Sequence, residues 1–587
     1  MLKSYNGITI DESRTSNLSP LAIDLLEKYY ILEGETIQEA FARPALAFCD
    51  GDLELAQGIY DDVSKQWAMY SSPILSNAPR LGEKAKAMPI SCFLSYVDDT
   101  REGLVDHQVE LAWLSMLGGG VGGHWSDIRS TSDKSVGVMP HLKIADSAVE
   151  GFRQGRTRKG SYAAYLDVSH PDMMEFLNVR LPTGGDVNRK CFNVHHAINI
   201  TDAFMDAVFS GSSWSLVCPH SGRKTEEVDA RELWQSILEI RSKTGEPYLN
   251  FIDTANRSLP EAQKQLGLKI HGSNLCNEIH LPTDAERTAV CCLSSANLER
   301  YFDWRDDPKF IERWVTFLDN VLTYFIENAP SVMHRAIYSA ERERAIGLGA
   351  MGFHSLLQSK SISWESPMAI SLNRKIFTHI KSKALEASYA LGSRRGEAPD
   401  MVGTGLRNSH LLAIAPNANS GLICGTSPSI EPLRSNAFTQ RTRAGSHLVQ
   451  NPHLRLVLNG YGKDTPEVWQ SILLNNGSVQ HLEFLDEYEK EIFKTAFEID
   501  QRWVVQHAAD RQVHICQGQS VNLYFPFGSQ RSYINETHLK AYRDGLKGLY
   551  YFRTTAGFSG DKVSIKASRV ALKDFNTKEE ECMACQG

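Results

Sequence analysis

The chain reads as an α/β protein with mainly parallel strands behind a helical N-terminal segment. From about Lys86 to Phe558, short apolar runs such as Ala197-Ile198-Asn199-Ile200 and Leu411-Leu412-Ala413-Ile414-Ala415 alternate with longer amphipathic stretches such as Glu232 to Arg241. That is the pattern of strands joined by crossover helices. Before it, apolar residues recur at helical spacing in Leu21 to Tyr30 and in Leu53 to Met69, so residues 1–85 predict a supporting helical domain. The length of 587 residues would allow three or four domains, but large α/β barrels exceed that prior as single units. Neither an internal repeat nor a long low-complexity segment is present.

Composition narrows the class of function. The chain is 42% hydrophobic and 22% charged with a net charge of −8, which disfavours a nucleic-acid polymer as partner. Eleven cysteines, an odd number, and no secretory signal at Met1-Leu2-Lys3-Ser4-Tyr5 favour free thiols in a reducing compartment. No apolar run approaches membrane-spanning length, so the expectation is a cytoplasmic protein without a membrane partner.

Cys276 carries the most chemistry. It lies in Ser273-Asn274-Leu275-Cys276-Asn277-Glu278. If this segment is extended, Asn274, Cys276 and Glu278 project from one face toward one pocket. A neighbouring carboxylate disfavours thiolate, whereas a cysteine nucleophile is normally activated by a base or a positive group. The thiol therefore suits hydrogen-atom chemistry better than nucleophilic attack. The competing reading is an edge strand carrying a small buried Cys.

Other segments also look chemical: Ser91-Cys92-Phe93-Leu94, Val290-Cys291-Cys292-Leu293-Ser294 and Gly548-Leu549-Tyr550-Tyr551-Phe552-Arg553-Thr554. In regular strand geometry Cys291 and Cys292 face opposite ways, so only one of them can meet Cys92. Adjacent phenols at Tyr550 and Tyr551 offer a stepwise radical route, or ordinary strand packing. The tail ends in Cys582-Met583-Ala584-Cys585 after Glu579-Glu580-Glu581. A Cys-x-x-Cys exchanges disulfides readily, and the acidic run marks exposure. From Gly560 onward the roughly 28 residues of a flexible coil would span about 30 Å, enough for a shuttle to reach a pocket. Half a zinc site is the alternative, but no second Cys-x-x-Cys exists to complete four ligands, so no metal is expected.

Together, and in this order, these motifs resemble the large catalytic subunit of class I ribonucleotide reductases, from about Leu18 to the C-terminus. The resemblance implies a ten-stranded α/β barrel of two five-stranded parallel halves over residues 86–558, with a central finger loop carrying Cys276 and a flexible redox tail at 559–587. It implies that Cys276 becomes a thiyl radical that takes the 3′ hydrogen of a ribonucleotide. Glu278 would accept the 3′ hydroxyl proton, Asn274 would hold the ribose hydroxyls, and Cys92 would protonate the departing 2′ hydroxyl. The family places its second redox cysteine two residues before the equivalent of Leu293, which makes Cys291 the disulfide partner and Cys292 a packed residue. Tyr550 and Tyr551 would relay a radical from a separate metal-bearing small subunit. Cys582 and Cys585 would be recharged by thioredoxin or glutaredoxin.

The same resemblance assigns binding residues. Gly118-Gly119-Gly120-Val121-Gly122-Gly123 contains the letters of a dinucleotide motif, but the preceding Val109 to Leu117 is helix-like and His124-Trp125-Ser126 is no helix start. The glycines read instead as a flexible connection toward an effector loop, with Asp99 recognising the effector nucleoside and Arg129 its phosphates. The effector would be a dNTP or ATP with Mg2+. The basic, Gly-flanked stretch Gln154 to Gly160 matches the loop between effector and substrate sites, which gives Gln154 and Arg158 roles in substrate selection. Pro416-Asn417-Ala418-Asn419-Ser420-Gly421 matches the phosphate cradle, with donors from backbone and small side chains. Ser72 and Ser91 match further substrate positions. Effector sites in the family lie at a homodimer interface.

Related large subunits often begin with a nucleotide-binding cone, whereas here the helical segment starts by about Leu18. The expectation is that dATP does not shut the enzyme down, which activity at rising dATP would test. Three competitors are kept. A cobalamin-dependent reductase shares the cysteines but needs no tyrosine relay. A glycyl-radical enzyme is raised by Arg553 to Phe558, whose spacing is off by one. A non-catalytic, nucleotide-sensing subunit would not require the cysteine set.

Overall fold

A computed structural model describes residues 2–152, 160–442 and 445–555. The chain opens with an antiparallel hairpin, Leu2–Tyr5 against Ile8–Asp11, before its first helices. Three helices follow, Pro20–Tyr29, Ile37–Ala47 and Leu53–Ser64. Each starts on a side-chain cap: Ser19 accepts from the Ala22 amide, Thr36 and Glu39 form a reciprocal capping box, and Asp52 accepts from the Leu55 amide. The third helix stops short of Met69, the limit set by periodicity. Gln66 turns the chain at φ 62°, and Ala68–Tyr70 is a buried strand antiparallel to Ala289–Asn297. A short apolar run fits a buried strand as well as a helix end, and tertiary pairing decides between them.

The strands between Cys92 and Thr554 build a barrel from two parallel halves. Cys92–Tyr96, Gly120–His124, Ser161–Asp167, His195–Ile200 and Tyr248–Phe251 pair in that order, each parallel to the next. In the other half, Ala289–Asn297 runs parallel to Ile346–Met351. Parallel bridges at Leu348 with Leu412 and at Ile414 with Gln519 add two further staves. Leu523–Phe525, continuing the last of these, pairs in parallel with Phe552–Thr554. The halves meet in two antiparallel seams, Ala289–Asn297 against Cys92–Tyr96 and Gly548–Leu549 against Tyr248–Phe251. Five staves in each half give the ten expected.

Crossover helices such as Arg101–Met116, Ala230–Thr244, Phe310–Asn328 and Pro367–Arg395 cover the outside. Their apolar faces and the outer faces of the strands form one continuous core. A second, smaller cluster fills the barrel interior and includes Cys92, Tyr165, Tyr248, Cys276, Cys291 and Tyr550.

The glycine run is not a flexible connection. Gly120–His124 is a wholly buried strand following the helix Arg101–Met116, and no helix starts after it. A Cβ on Gly122 would collide with the Ser273 carbonyl oxygen, and one on Gly123 with the Tyr162 hydroxyl. The glycines let another backbone approach the inner wall of the barrel.

Candidate active site

That approaching backbone is the segment 273–280, which enters the barrel and is held by both halves. The Tyr165 hydroxyl donates to the Asn274 carbonyl at 2.6 Å, and Asn277 Nδ2 donates to the carbonyls of Leu249 and Leu549 at 3.0 and 3.3 Å. From the other half, the Gly518 amide donates to the Glu278 carbonyl at 2.7 Å, and Ser520 Oγ donates to the Cys276 carbonyl at 2.7 Å. The segment is a turn rather than the extended strand expected, with Asn277 left-handed at φ 58°. Alternation along a strand therefore does not bring Asn274 and Glu278 together. The Asn274 side chain does: its Oδ1 accepts from the amides of Glu278 and Ile279 at 3.0 and 3.1 Å, and its Nδ2 donates to Glu278 Oε1 at 2.9 Å. The same Ser520 hydroxyl lies 3.0 Å from the other carboxylate oxygen and shares its single hydrogen between the two acceptors. Cys276, at the tip, is buried.

Cys92 and Cys291 are direct cross-strand partners in the first seam. Side chains opposite one another in such a pair are close neighbours. Both thiols are free and line a small pocket with Ser71, Ser91 and Leu293. Cys292, pointing the other way, packs in the outer core. Burial pushes the Cys291 thiol well above its ordinary pKa, opposed by Gln517, whose Nε2 donates to the sulfur at 3.5 Å.

Tyr550 and Tyr551 sit in the second seam, where the chain leaves Gly548–Leu549 and begins Phe552–Thr554. Neighbours on a regular strand point to opposite faces. The break between the two short strands lets both rings meet, with centroids 4.2 Å apart. The Tyr550 hydroxyl donates to Cys276 Sγ at 3.5 Å. Several neighbours fix the pair. Arg241 Nη1 donates to the Tyr550 carbonyl at 2.7 Å, Asn522 Oδ1 accepts from the Tyr551 amide at 3.0 Å, and the Arg553 guanidinium lies 4.2 Å from the centre of the Tyr551 ring. His195 Nδ1 is 3.4 Å from the Tyr551 hydroxyl and 2.6 Å from Glu246 Oε1. Burial alone would raise the Glu246 pKa, but Arg180, His195 and His196 together hold it well below the usual carboxylate range.

Tyr248 escaped the sequence reading. Its ring lies 4.7 Å from that of Tyr550 and 5.1 Å from that of Tyr551, and its buried hydroxyl has no hydrogen-bond partner among the described residues. Burial drives its pKa well up. Gln517 and Ser520 were missed as well. An aromatic beginning an apolar strand, or an amide in a Gln-Gly-Gln-Ser stretch, carries no local signal of a site.

The remaining candidates fall into two groups. Asn419 Nδ2 donates to the Tyr30 hydroxyl at 3.0 Å, and that hydroxyl is 2.9 Å from Ser72 Oγ. Ser420 Oγ donates to the Tyr70 carbonyl at 3.3 Å, so Ser72, Asn419 and Ser420 gather where the helices Ser72–Asn77 and Ala418–Cys424 begin. Ser91 lies on the thiol pocket. The Asn417 side chain is used internally, accepting from Ser295 and donating to the carbonyls of Ala350 and Ala415. Asp99 and Arg129 pair with each other at 2.9 Å, and His220 Nδ1 is 3.2 Å from the same carboxylate. Gln154, Arg158, Cys582, Cys585 and the segment 559–587 lie outside the described residues. Among the described residues no helix is long and apolar enough to cross a membrane.

Comparison with known proteins gives a consistent picture. The family model for the ribonucleotide reductase barrel domain matches residues 90–404 and 398–552, and the model for its all-alpha domain matches residues 16–82. The provisionally named ribonucleoside-diphosphate reductase large subunit of Frog virus 3 (isolate Goorha) is 52% identical over 569 residues, covering 96% of this chain and 98% of its own length. The ribonucleoside-diphosphate reductase large subunit of Invertebrate iridescent virus 3 is 44% identical over 639 residues, covering 99% and 100%. Among solved structures, the Actinobacillus ureae class Id ribonucleotide reductase alpha subunit superposes with a TM-score of 0.81 at 34% identity, over 92% of this chain and 97% of that one.

Proposed function

This chain belongs to the ribonucleotide reductase family as the large, catalytic subunit of a class I enzyme, and from that premise we propose that a thiyl radical on Cys276 reduces ribonucleoside diphosphates to 2′-deoxyribonucleotides. The observation that carries this reading is the Tyr550 hydroxyl 3.5 Å from Cys276 Sγ, inside the cluster that holds Cys92 and Cys291.

A radical from the separate, metal-containing small subunit oxidises Tyr551. The Tyr551 phenoxyl takes a hydrogen atom from Tyr550, and the Tyr550 phenoxyl takes one from the Cys276 thiol. The thiyl removes the 3′ hydrogen of the sugar while Glu278 accepts the 3′ hydroxyl proton and Asn274 holds the ribose hydroxyls. Cys92 protonates the 2′ oxygen, which leaves as water. Cys92 and Cys291 supply two electrons and close to a disulfide, the hydrogen of Cys291 going to C2′ and the proton held by Glu278 returning to the 3′ oxygen. The 3′ hydrogen then returns from Cys276, and the radical goes back along the tyrosines. Cys582 and Cys585 reopen the disulfide with electrons from thioredoxin or glutaredoxin. Residues 559–587, which carry them, complete the proposed division into a helical support over 1–85 and a barrel over 86–558.

Asn419 and Ser420 receive the substrate phosphates with the backbone of Asn417 and Ala418, which the convergence of two helix N-termini supports, and Ser72 and Ser91 bind further parts of the substrate. Asp99, Arg129, Gln154 and Arg158 take the effector, a dNTP or ATP with Mg2+. A homodimer is supported by Val105, Val109, Trp113 and Met116, which are exposed on the helix Arg101–Met116 beside Asp99. Nine free cysteines among the described residues favour the cytoplasm.

CDP reduction by the purified chain, with and without candidate small subunits, tests this reading. Deoxycytidine diphosphate should form only with a small subunit and not at all with Cys276→Ala. Turnover by that variant would overturn it.

A further inference from the structure

The two thiols of the reducing pair differ in that one of them receives a side-chain donor. Gln517 is fully buried, and its Nε2 donates to the Ile346 carbonyl at 3.0 Å as well as to Cys291 Sγ at 3.5 Å. The first bond fixes the orientation of the amide, because turning it over would set two carbonyl oxygens against each other. Toward the sulfur it can only donate. Its own Oε1 is left buried without a partner. A side chain kept only for packing gains nothing from that arrangement. The residue is also rigidly placed: its amide donates to the Leu412 carbonyl at 3.2 Å, and its carbonyl accepts from Lys547 Nζ at 2.7 Å and Gln512 Nε2 at 2.9 Å. Among the described residues Cys92 Sγ has no corresponding donor, although it opens on the same pocket.

We propose that Gln517 makes Cys291 the leaving sulfur when the Cys92–Cys291 disulfide is reduced, so that the incoming dithiol attacks Cys92. The inference rests on the assignment of these two cysteines as the redox pair. In the first step the electron pair of the attacking thiolate forms a new S–S bond to Cys92. The Cys92–Cys291 bond breaks, and its pair stays on Cys291 as a thiolate held by the Gln517 N–H until a proton arrives. In the second step the other thiol of the reductant, deprotonated, displaces Cys92, which leaves as a thiolate and is protonated. The dithiol departs as a cyclic disulfide, having given two electrons. A sulfur whose thiolate is stabilised leaves faster. Burial works against a Cys291 thiolate, so a donor has most effect there.

The test uses the full chain with its small subunit, oxidised by turnover on CDP without reductant. Brief exposure to glutathione, quenching with N-ethylmaleimide and peptide mapping by mass spectrometry should find glutathione on Cys92 and maleimide on Cys291. In Gln517→Leu the preference should disappear, and reduction of the disulfide by dithiothreitol should slow about tenfold. Glutathione on Cys291, or on both cysteines equally, in the unaltered protein would overturn the proposal alone. If mapping before glutathione finds no Cys92–Cys291 disulfide, the redox-pair assignment falls and the proposal with it.

Discussion

The Tyr550 hydroxyl lies 3.5 Å from the sulfur of Cys276, a residue 274 positions earlier in the chain. The seam between Gly548–Leu549 and Tyr248–Phe251, together with the loop at 273–280, brings them together.

If that contact passes a hydrogen atom, Tyr550→Phe keeps the ring but has no O–H to exchange. Turnover with the small subunit should fall at least about a hundredfold, while effector and substrate binding by calorimetry stay unchanged. Activity within a few-fold of the unaltered enzyme would remove Tyr550 from the relay.

Asn274 and Glu278 should separate in their effects. Glu278→Gln is isosteric and still accepts from Asn274, so stability should hold while turnover drops by about 10²–10⁴ with the loss of a proton acceptor. Asn274→Ala removes the acceptor for two amides that shape the turn, and should lower stability by about 1–3 kcal/mol in urea titration as well as turnover. Equal stability losses for the two would contradict a proton-accepting role for one and a loop-shaping role for the other.

Gly122→Ala tests whether the loop needs the bare wall. The new Cβ would strike the Ser273 carbonyl and sit 2.9 Å from Asn274 Cα. A cost of about 1–3 kcal/mol and a shifted loop are expected. Unchanged turnover and melting would mean that the loop packs differently.

Tyr248→Phe removes a buried hydroxyl without a partner and should be neutral or stabilising by up to about 1 kcal/mol. Tyr248→Ala should cost about 3–5 kcal/mol, since it opens a cavity against the rings of Tyr550 and Tyr551. Radical transfer followed by electron paramagnetic resonance should survive the first change and fail in the second. A radical yield lost in Tyr248→Phe would make this phenol a carrier.

Glu343 gives a pH dependence. Burial raises its carboxyl to about 8, against the pull of Arg287 and Ser339. A folded-state pKa above the ordinary 4.5 means that its stabilising contribution is complete below pH 4.5 and is lost as pH rises through about 8. Between those values Glu343→Gln should flatten the decline of stability measured by urea titration at several pH values. An identical decline in both proteins would show that the carboxyl is ionised at neutral pH.

Much of the molecule was legible from local pattern. The alternation around Ala197–Ile200 and Glu232–Arg241 gave the α/β class, and the opposed facing of Cys291 and Cys292 was readable from strand geometry alone. The ten staves and the finger loop came through the resemblance rather than from periodicity. What stayed hidden is non-local. Nothing near Gly122 announces that Ser273 will press on it, and nothing in Pro247-Tyr248 announces two further phenols 302 and 303 positions away. The turn at Leu275–Asn277 was misread because the left-handed φ of Asn277 is held by carbonyls from two distant strands.

The two seams occupy different walls of the barrel: Cys92 and Cys291 face each other across one, and Tyr550 and Tyr551 follow directly from the other. On the proposed roles, oxidant and reductant would enter the chamber by separate doors, with the Cys276 loop held from both halves. Such an arrangement would guard against a short circuit, in which a phenoxyl is quenched by a reducing thiol before any sugar has been touched.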